Sequence, residues 1–205
     1  MTGRLLLLHL RARGGPAFAA GLVVVTALAW AGGSWLISRP YFDGPAARIP
    51  VVALTPLLGA LLLAPTLAGA GDELERGTPA PWRHWRAGHV LAGVAAIGLP
   101  LALTGLHAPE VFGAYALLRN TLGCVGLVAG AAVLLGARLA WVPAFGYVCA
   151  VYGGAPRQVG GAAGIWAWPV QPSGVETSWA VAGALFVAGT TSYLWYGARP
   201  RFGCD

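Results

Sequence analysis

Long apolar runs, broken by short polar or glycine-proline segments, account for almost the whole chain. They fall at residues 18–37, 49–70, 90–106, within 111–135, around 139–152 and at 179–196. A helix needs about 20 mainly apolar residues to cross roughly 30 Å of hydrocarbon. The runs reach or approach that length, whereas a membrane barrel would show alternating segments of about ten residues. The pattern predicts an all-α, polytopic transmembrane helical bundle of about six spans. The fifth run is the shortest: it either borrows residues from 153–163 or dips in without crossing. Four crossings plus a re-entrant hairpin is the competing count.

Composition agrees with this class. Of 205 residues, 57% are hydrophobic and 10% charged, against about 25% charged in an ordinary soluble domain. The chain has no lysine, so orientation rests on arginine, which is retained on the cytoplasmic side when it lies near short loops. Six spans with both termini cytoplasmic put Arg4, Arg11, Arg13, Arg76, Arg83, Arg86, Arg138, Arg199 and Arg201 inside. Arg39, Arg48, Arg119 and Arg157 are left outside. The expected location is thus a cytoplasmic (inner) membrane, multi-pass. The net charge of +6 reads as topology and contact with anionic lipid, with no support for nucleic acid.

The expected organisation is an interfacial segment at 1–15 and a transmembrane domain at 16–205, carrying a cytoplasmic loop at 71–89 and an exterior interfacial or re-entrant segment at 153–178. The first ten residues have the early arginine and leucines of a secretory signal, but the apolar part is short and more arginines follow. An amphipathic stretch over 4–13, ended by Gly14, Gly15 and Pro16, fits better. In 153–178, Trp166 and Trp168 suit an interfacial belt and Pro169 and Pro172 stop any continuing helix. Trp166, Trp168 and Arg119 are the candidate substrate path or gate, with an inert membrane-surface cap as the alternative for 153–178. An arginine at mid-bilayer is costly, so Arg119 is expected to snorkel to the outer headgroups. The alternative is that it lines a cavity and attracts an anionic group, with Glu110 as an outer-side partner.

Several chemistries are disfavoured. Cys124, Cys149 and Cys204 show no paired spacing, and His9, His84, His89 and His107 fit no metal motif, so neither a disulfide framework, a metal nor a cofactor is expected. A P-loop requires its lysine, so this chain is not expected to be an enzyme, and ATP hydrolysis would fall to a partner. Ser192 has no evident histidine partner for intramembrane hydrolysis. Gly123, Gly126 and Gly130 give the fourth run a small-residue face for close helix packing, within the chain in preference to a second copy. Pro56, Pro65 and Pro100 mark bends whose freed carbonyls need other donors.

The loop at 71–89, GDELERGTPAPWRHWRAGH, is the most polar stretch between apolar runs. Asp72, Glu73 and Glu75 precede Arg76, and Arg83 and Arg86 lie one turn apart among Trp82 and Trp85. A short helix parallel to the membrane is expected here, with Trp82, Arg83, Trp85 and Arg86 at the lipid interface.

The order of parts resembles the integral-membrane permeases of type-2 ABC exporters: an interface helix, two spans, a cytoplasmic loop with a coupling helix, then four spans with short outer helices between the last two. The loop is similar to the family's acidic, Glu-Arg, Gly-Thr, proline and basic pattern. That resemblance implies that Glu75, Arg76, Gly77 and Thr78, with Asp72 and Glu73 beside them, dock a separate ATP-binding subunit. It further implies a permease subunit of an ATP-driven exporter that pairs as a homodimer or with a paralogous permease. The alternatives are a non-transporting membrane anchor or assembly subunit of a larger complex and, third, an intramembrane enzyme acting on lipid.

Overall fold

A computed structural model describes residues 11–38, 44–68, 82–108, 110–155 and 158–200. Every regular element among them is helical. The elements are α1 (Gly15–Ile37), α2 (Ile49–Leu63), α3 (Trp82–Gly105), α4 (Ala114–Leu135), α5 (Trp141–Gly154), α6 (Gly161–Trp166) and α7 (Glu176–Tyr196), with 3-10 turns at Pro45–Arg48, Ala64–Leu67, Glu110–Phe112 and Trp168–Val170.

Four stretches are long and apolar enough to cross a membrane: Gly15–Leu36, Pro45–Leu67, Trp82–Gly105 and Glu110–Leu135. The helix α5, with 14 residues, rises only about 21 Å at 1.5 Å per residue. Helix α7 has 21 residues but carries the polar run Thr190, Thr191 and Ser192. The fold is therefore that of a membrane-type helical protein with at least four membrane-length helices.

Two element boundaries differ from expectation. The third helix begins at Trp82 and runs unbroken to Gly105, so Trp82–Arg86 is its first turn and not a separate helix lying along the membrane. After Pro81 no residue interrupts helix formation before Gly88. The first helix begins at Gly15, directly after a turn at Arg13 and Gly14, where Gly14 has φ 76° and Pro16 occupies the first helical turn.

The helices alternate in direction, which gives the bundle two ends. At the proximal end, Arg13 Nη1 donates to Thr66 O (3.4 Å), Thr66 Oγ1 and His89 Nε2 are 2.9 Å apart, Tyr193 O–H donates to Leu67 O (2.6 Å), and Arg199 N–H donates to Ala132 O (2.9 Å). The starts of α1 and α3 are thus tied to the ends of α2, α4 and α7. The distal end holds the starts of α2, α4 and α7 and the 158–175 segment.

Helix α4 is the hub, packed on α2, α3, α5 and α7. Its best membrane-length window is 67% buried, against 17% for α1, so α1 is the peripheral helix and presents Val23, Val24, Leu28 and Trp30 outward. Lipid tails are as apolar as these side chains, so helix association rests on close packing and hydrogen bonds. The closest approach is between α4 and α7: a Cβ added at Gly189 would lie 1.9 Å from Gly126 O, and one at Gly126 would lie 2.4 Å from Leu185 O. The small-residue face of α4 is therefore filled within the chain, as expected.

Candidate functional site

The densest polar construction lies at the distal end, where the second turn of α4 places Arg119 and Asn120 side by side. Both are completely buried. Arginine offers five N–H donors and no acceptor, and three are used here. Nη1 donates to Pro172 O at 2.8 Å, Nη2 to Gln171 O at 2.7 Å, and Nε to Asn120 Oδ1 at 3.0 Å. Asn120 Nδ2 in turn donates to Pro169 O at 2.7 Å and to Val52 O at 2.8 Å.

The last of these follows directly from the sequence of α2. Proline at 56 has no N–H, so the carbonyl four residues earlier, on Val52, has no helical donor. Asn120 supplies it. The proline-interrupted turn of α2, the start of α4 and the 158–172 segment are thereby joined through one side chain.

The segment between α5 and α7 folds on the pair as a hairpin. Gln171, 2% exposed, accepts from Gly160 N–H through Oε1 (2.9 Å) and donates through Nε2 to Gln158 O (3.0 Å). Gly160 takes φ 75° at this turn, a value that glycine adopts freely. Ser173 N–H donates to Val111 O (2.8 Å), and its hydroxyl donates to Glu110 O (2.5 Å). Ser178 closes the other side with a bond to Gly164 O (2.8 Å). Tyr147, on α5, donates its hydroxyl to Trp166 O and stacks on Trp168, with ring centroids 6.3 Å apart.

This arrangement corrects two expectations. Arg119 does not snorkel to headgroups: the carbonyls that the proline-broken 169–172 turn leaves free lie within its reach and are better placed than the surface. Its partners are neutral, and Glu110 enters only through its backbone carbonyl. Trp168 does not sit in an interfacial belt either. It is 1% exposed and lies on Gly123, where an added Cβ would come within 2.4 Å of the indole. Trp166, in contrast, is 44% exposed.

At the proximal end, the Arg83 guanidinium lies 3.6 Å from the centroid of the Trp195 ring, and Arg86 Nη1 donates to Leu194 O at 3.5 Å. Both arginines hold the end of α7, an intrachain role that the lipid-interface expectation did not include. Trp85 is 52% exposed, and Trp82 is half-buried. The candidate docking residues Asp72, Glu73, Glu75, Arg76, Gly77 and Thr78 lie outside the described residues. No cluster with metal-ligand chemistry occurs among the described residues.

Asn120 and Gln171 are the site residues that sequence reasoning missed. The signal for Asn120 was present, because Pro56 on a neighbouring helix announces a carbonyl in need of a donor. For Gln171 there was no comparable signal. Comparison with protein-family models, with curated proteins and with solved structures gives no match.

Proposed function

We propose that the chain is the permease subunit of an ATP-driven exporter, docked through 71–89 on a separate ATP-binding subunit. The observation that carries this reading is the order of parts. Two membrane-length helices precede residues 69–81 and two follow them, and helix α6 with the Trp168–Val170 turn folds on the distal end, opposite the end of α2 and the start of α3. In this reading α5, completed by the hairpin, and α7 make the fifth and sixth crossings. The proximal end, with Arg11, Arg13, Arg83, Arg86, Arg138 and Arg199, faces the cytoplasm. Two copies, or this chain and a paralogue, enclose the path, and closure of the ATPase is transmitted through Glu75–Thr78 into α3.

The alternative, a non-transporting anchor, uses the same loop only for attachment. Affinity capture of the full chain from native membranes distinguishes the readings. The exporter reading expects an ATP-hydrolysing subunit to co-purify and Glu75→Ala to reduce its hydrolysis or its retention while insertion stays normal. If no ATPase co-purifies, the exporter reading falls. If one does co-purify and its hydrolysis is indifferent to the permease and to Glu75→Ala, attachment alone remains.

A further inference from the structure

Arg48, at the N-cap of α2 on the distal end, differs from Arg119 in one respect: it is buried without a compensating partner among the described residues. It is 2% exposed, and its Nε is buried with no hydrogen-bond partner. It forms no ion pair among the described residues. The guanidinium lies over α1 at Gly33, where an added Cβ would sit 3.3 Å from Nη2. The start of α2 adds the partial positive charge of a helix N-terminus. A buried cation left unpaired is strongly unfavourable, so the position calls for an anion.

One turn along α1 from Gly33, Trp30 begins a groove between α1 and α3 of about 460 Å³, walled by Val23, Thr26, Ala27 and Trp30 on one side and by Leu103 and Thr104 on the other. Val23 and Leu103 are each more than 60% exposed. The groove opens on the outer flank of helices long enough to cross a membrane, where the surrounding medium is hydrocarbon. A positive charge with no partner among the described residues, one helical turn from an open apolar groove, matches an amphiphile with an acidic head and an acyl tail.

We propose that this is a binding site for an anionic phospholipid, its phosphate at Arg48 and an acyl chain in the α1–α3 groove. Arg48 supplies charge-assisted hydrogen bonds, and the groove supplies selection for a chain over a soluble anion. The site is independent of the exporter reading, because it needs neither an ATPase nor a transported substrate.

The test uses the full chain in nanodiscs of phosphatidylcholine alone or mixed with phosphatidylglycerol. Native mass spectrometry reads the retained lipid, and thermal unfolding reads stability. Wild type is expected to retain phosphatidylglycerol in preference to phosphatidylcholine and to unfold at a higher temperature in the mixed discs. Arg48→Met should weaken that preference by about tenfold or more, the effect of losing a hydrogen bond to a charged group. In phosphatidylcholine alone it should unfold no lower than wild type. Ala27→Trp fills the groove at an exposed position and should also lose the lipid with Arg48 intact, which keeps the test decisive if Arg48→Met misfolds.

Equal retention of both lipids by wild type, or an unchanged preference in Arg48→Met or in Ala27→Trp, would overturn the proposal. So would stabilisation by inorganic phosphate in phosphatidylcholine discs, which would mark a soluble-anion site. Asp43, five residues before Arg48 in the sequence and outside the described residues, is the nearest acid along the chain, and rescue of a destabilised Arg48→Met by Asp43→Asn would overturn the proposal too, by assigning the counter-charge to the chain itself.

Discussion

Asn120 performs for α2 the service that a backbone N–H performs elsewhere in a helix. Its amide reaches a carbonyl that Pro56 orphaned and a second one in the 169–172 turn, while its oxygen accepts from Arg119. Replacing it with leucine keeps the bulk and removes all three bonds. Buried carbonyls left without donors cost about 1–3 kcal/mol each, although measured interhelical bonds in membranes average nearer 0.6 kcal/mol. Asn120→Leu is therefore expected to destabilise the protein by about 2 kcal/mol in detergent unfolding. The loss should be smaller in a Pro56→Ala background, where a restored N–H can take the Val52 carbonyl. Equal losses in both backgrounds would separate Asn120 from the proline. Arg119→Lys should also be destabilising, because a single ammonium cannot reproduce the planar fork across Gln171 and Pro172. The readout is faster amide exchange at 158–172, with exchange in α2 little changed.

Among whole elements, the α4–α7 pair is the tightest junction, and the limit there is backbone against backbone. A methyl at Gly189 would collide with Gly126 O, whereas one at Gly130 would stand 3.3 Å from the Gly189 Cα. Backbone cannot rotate away as a side chain does, and overpacking of this kind typically costs about 1–3 kcal/mol. Gly189→Ala is expected at or above the upper end of that range, and Gly130→Ala at or below the lower end, in the same unfolding assay. The reverse order would mean that the helices separate more easily than the packing suggests. The short helix α5 is held differently, through Tyr147 to the 166–168 turn. Tyr147→Phe removes the hydroxyl bond to Trp166 O but keeps the ring on Trp168. It should loosen the hairpin by about 0.5–1.5 kcal/mol, read as local exchange around 161–168 without global unfolding.

For the molecule as a whole, the alternation of helix ends makes a direct prediction about sidedness. His84 is exposed at the proximal end and Val159 is exposed at the distal end. With Cys149 and the other native thiols replaced, a membrane-impermeant maleimide added to intact cells should label Val159→Cys and leave His84→Cys unlabelled until the membrane is opened. Labelling of both from the outside would exclude an arrangement in which the two ends face opposite compartments. Labelling of His84→Cys alone would invert the arginine-based orientation.

The sequence by itself determined the class, an all-helical membrane-type chain, whereas against about six expected spans four helices among the described residues are long and apolar enough to cross a membrane. The bilayer thickness fixes how long an apolar run must be, and no arrangement of neighbours changes that requirement. It also marked Gly126 and Gly130 as a packing face and Pro56 as a source of an unpaired carbonyl, since both follow from covalent structure. Where polar side chains go was decided only by the tertiary structure. Arg48 and Arg119 read alike along the chain, each near the start of a distal helix. In space, Arg119 meets three acceptors from its own neighbour and the proline-broken turn, while Arg48 lies on the bare backbone of Gly33 with no hydrogen-bond partner for its Nε. Trp166 and Trp168 read as one belt, yet the turn at Ala167 sends one outward and the other onto Gly123. Those outcomes depend on which carbonyls and which gaps the other helices bring within a few ångströms, and local sequence does not encode that.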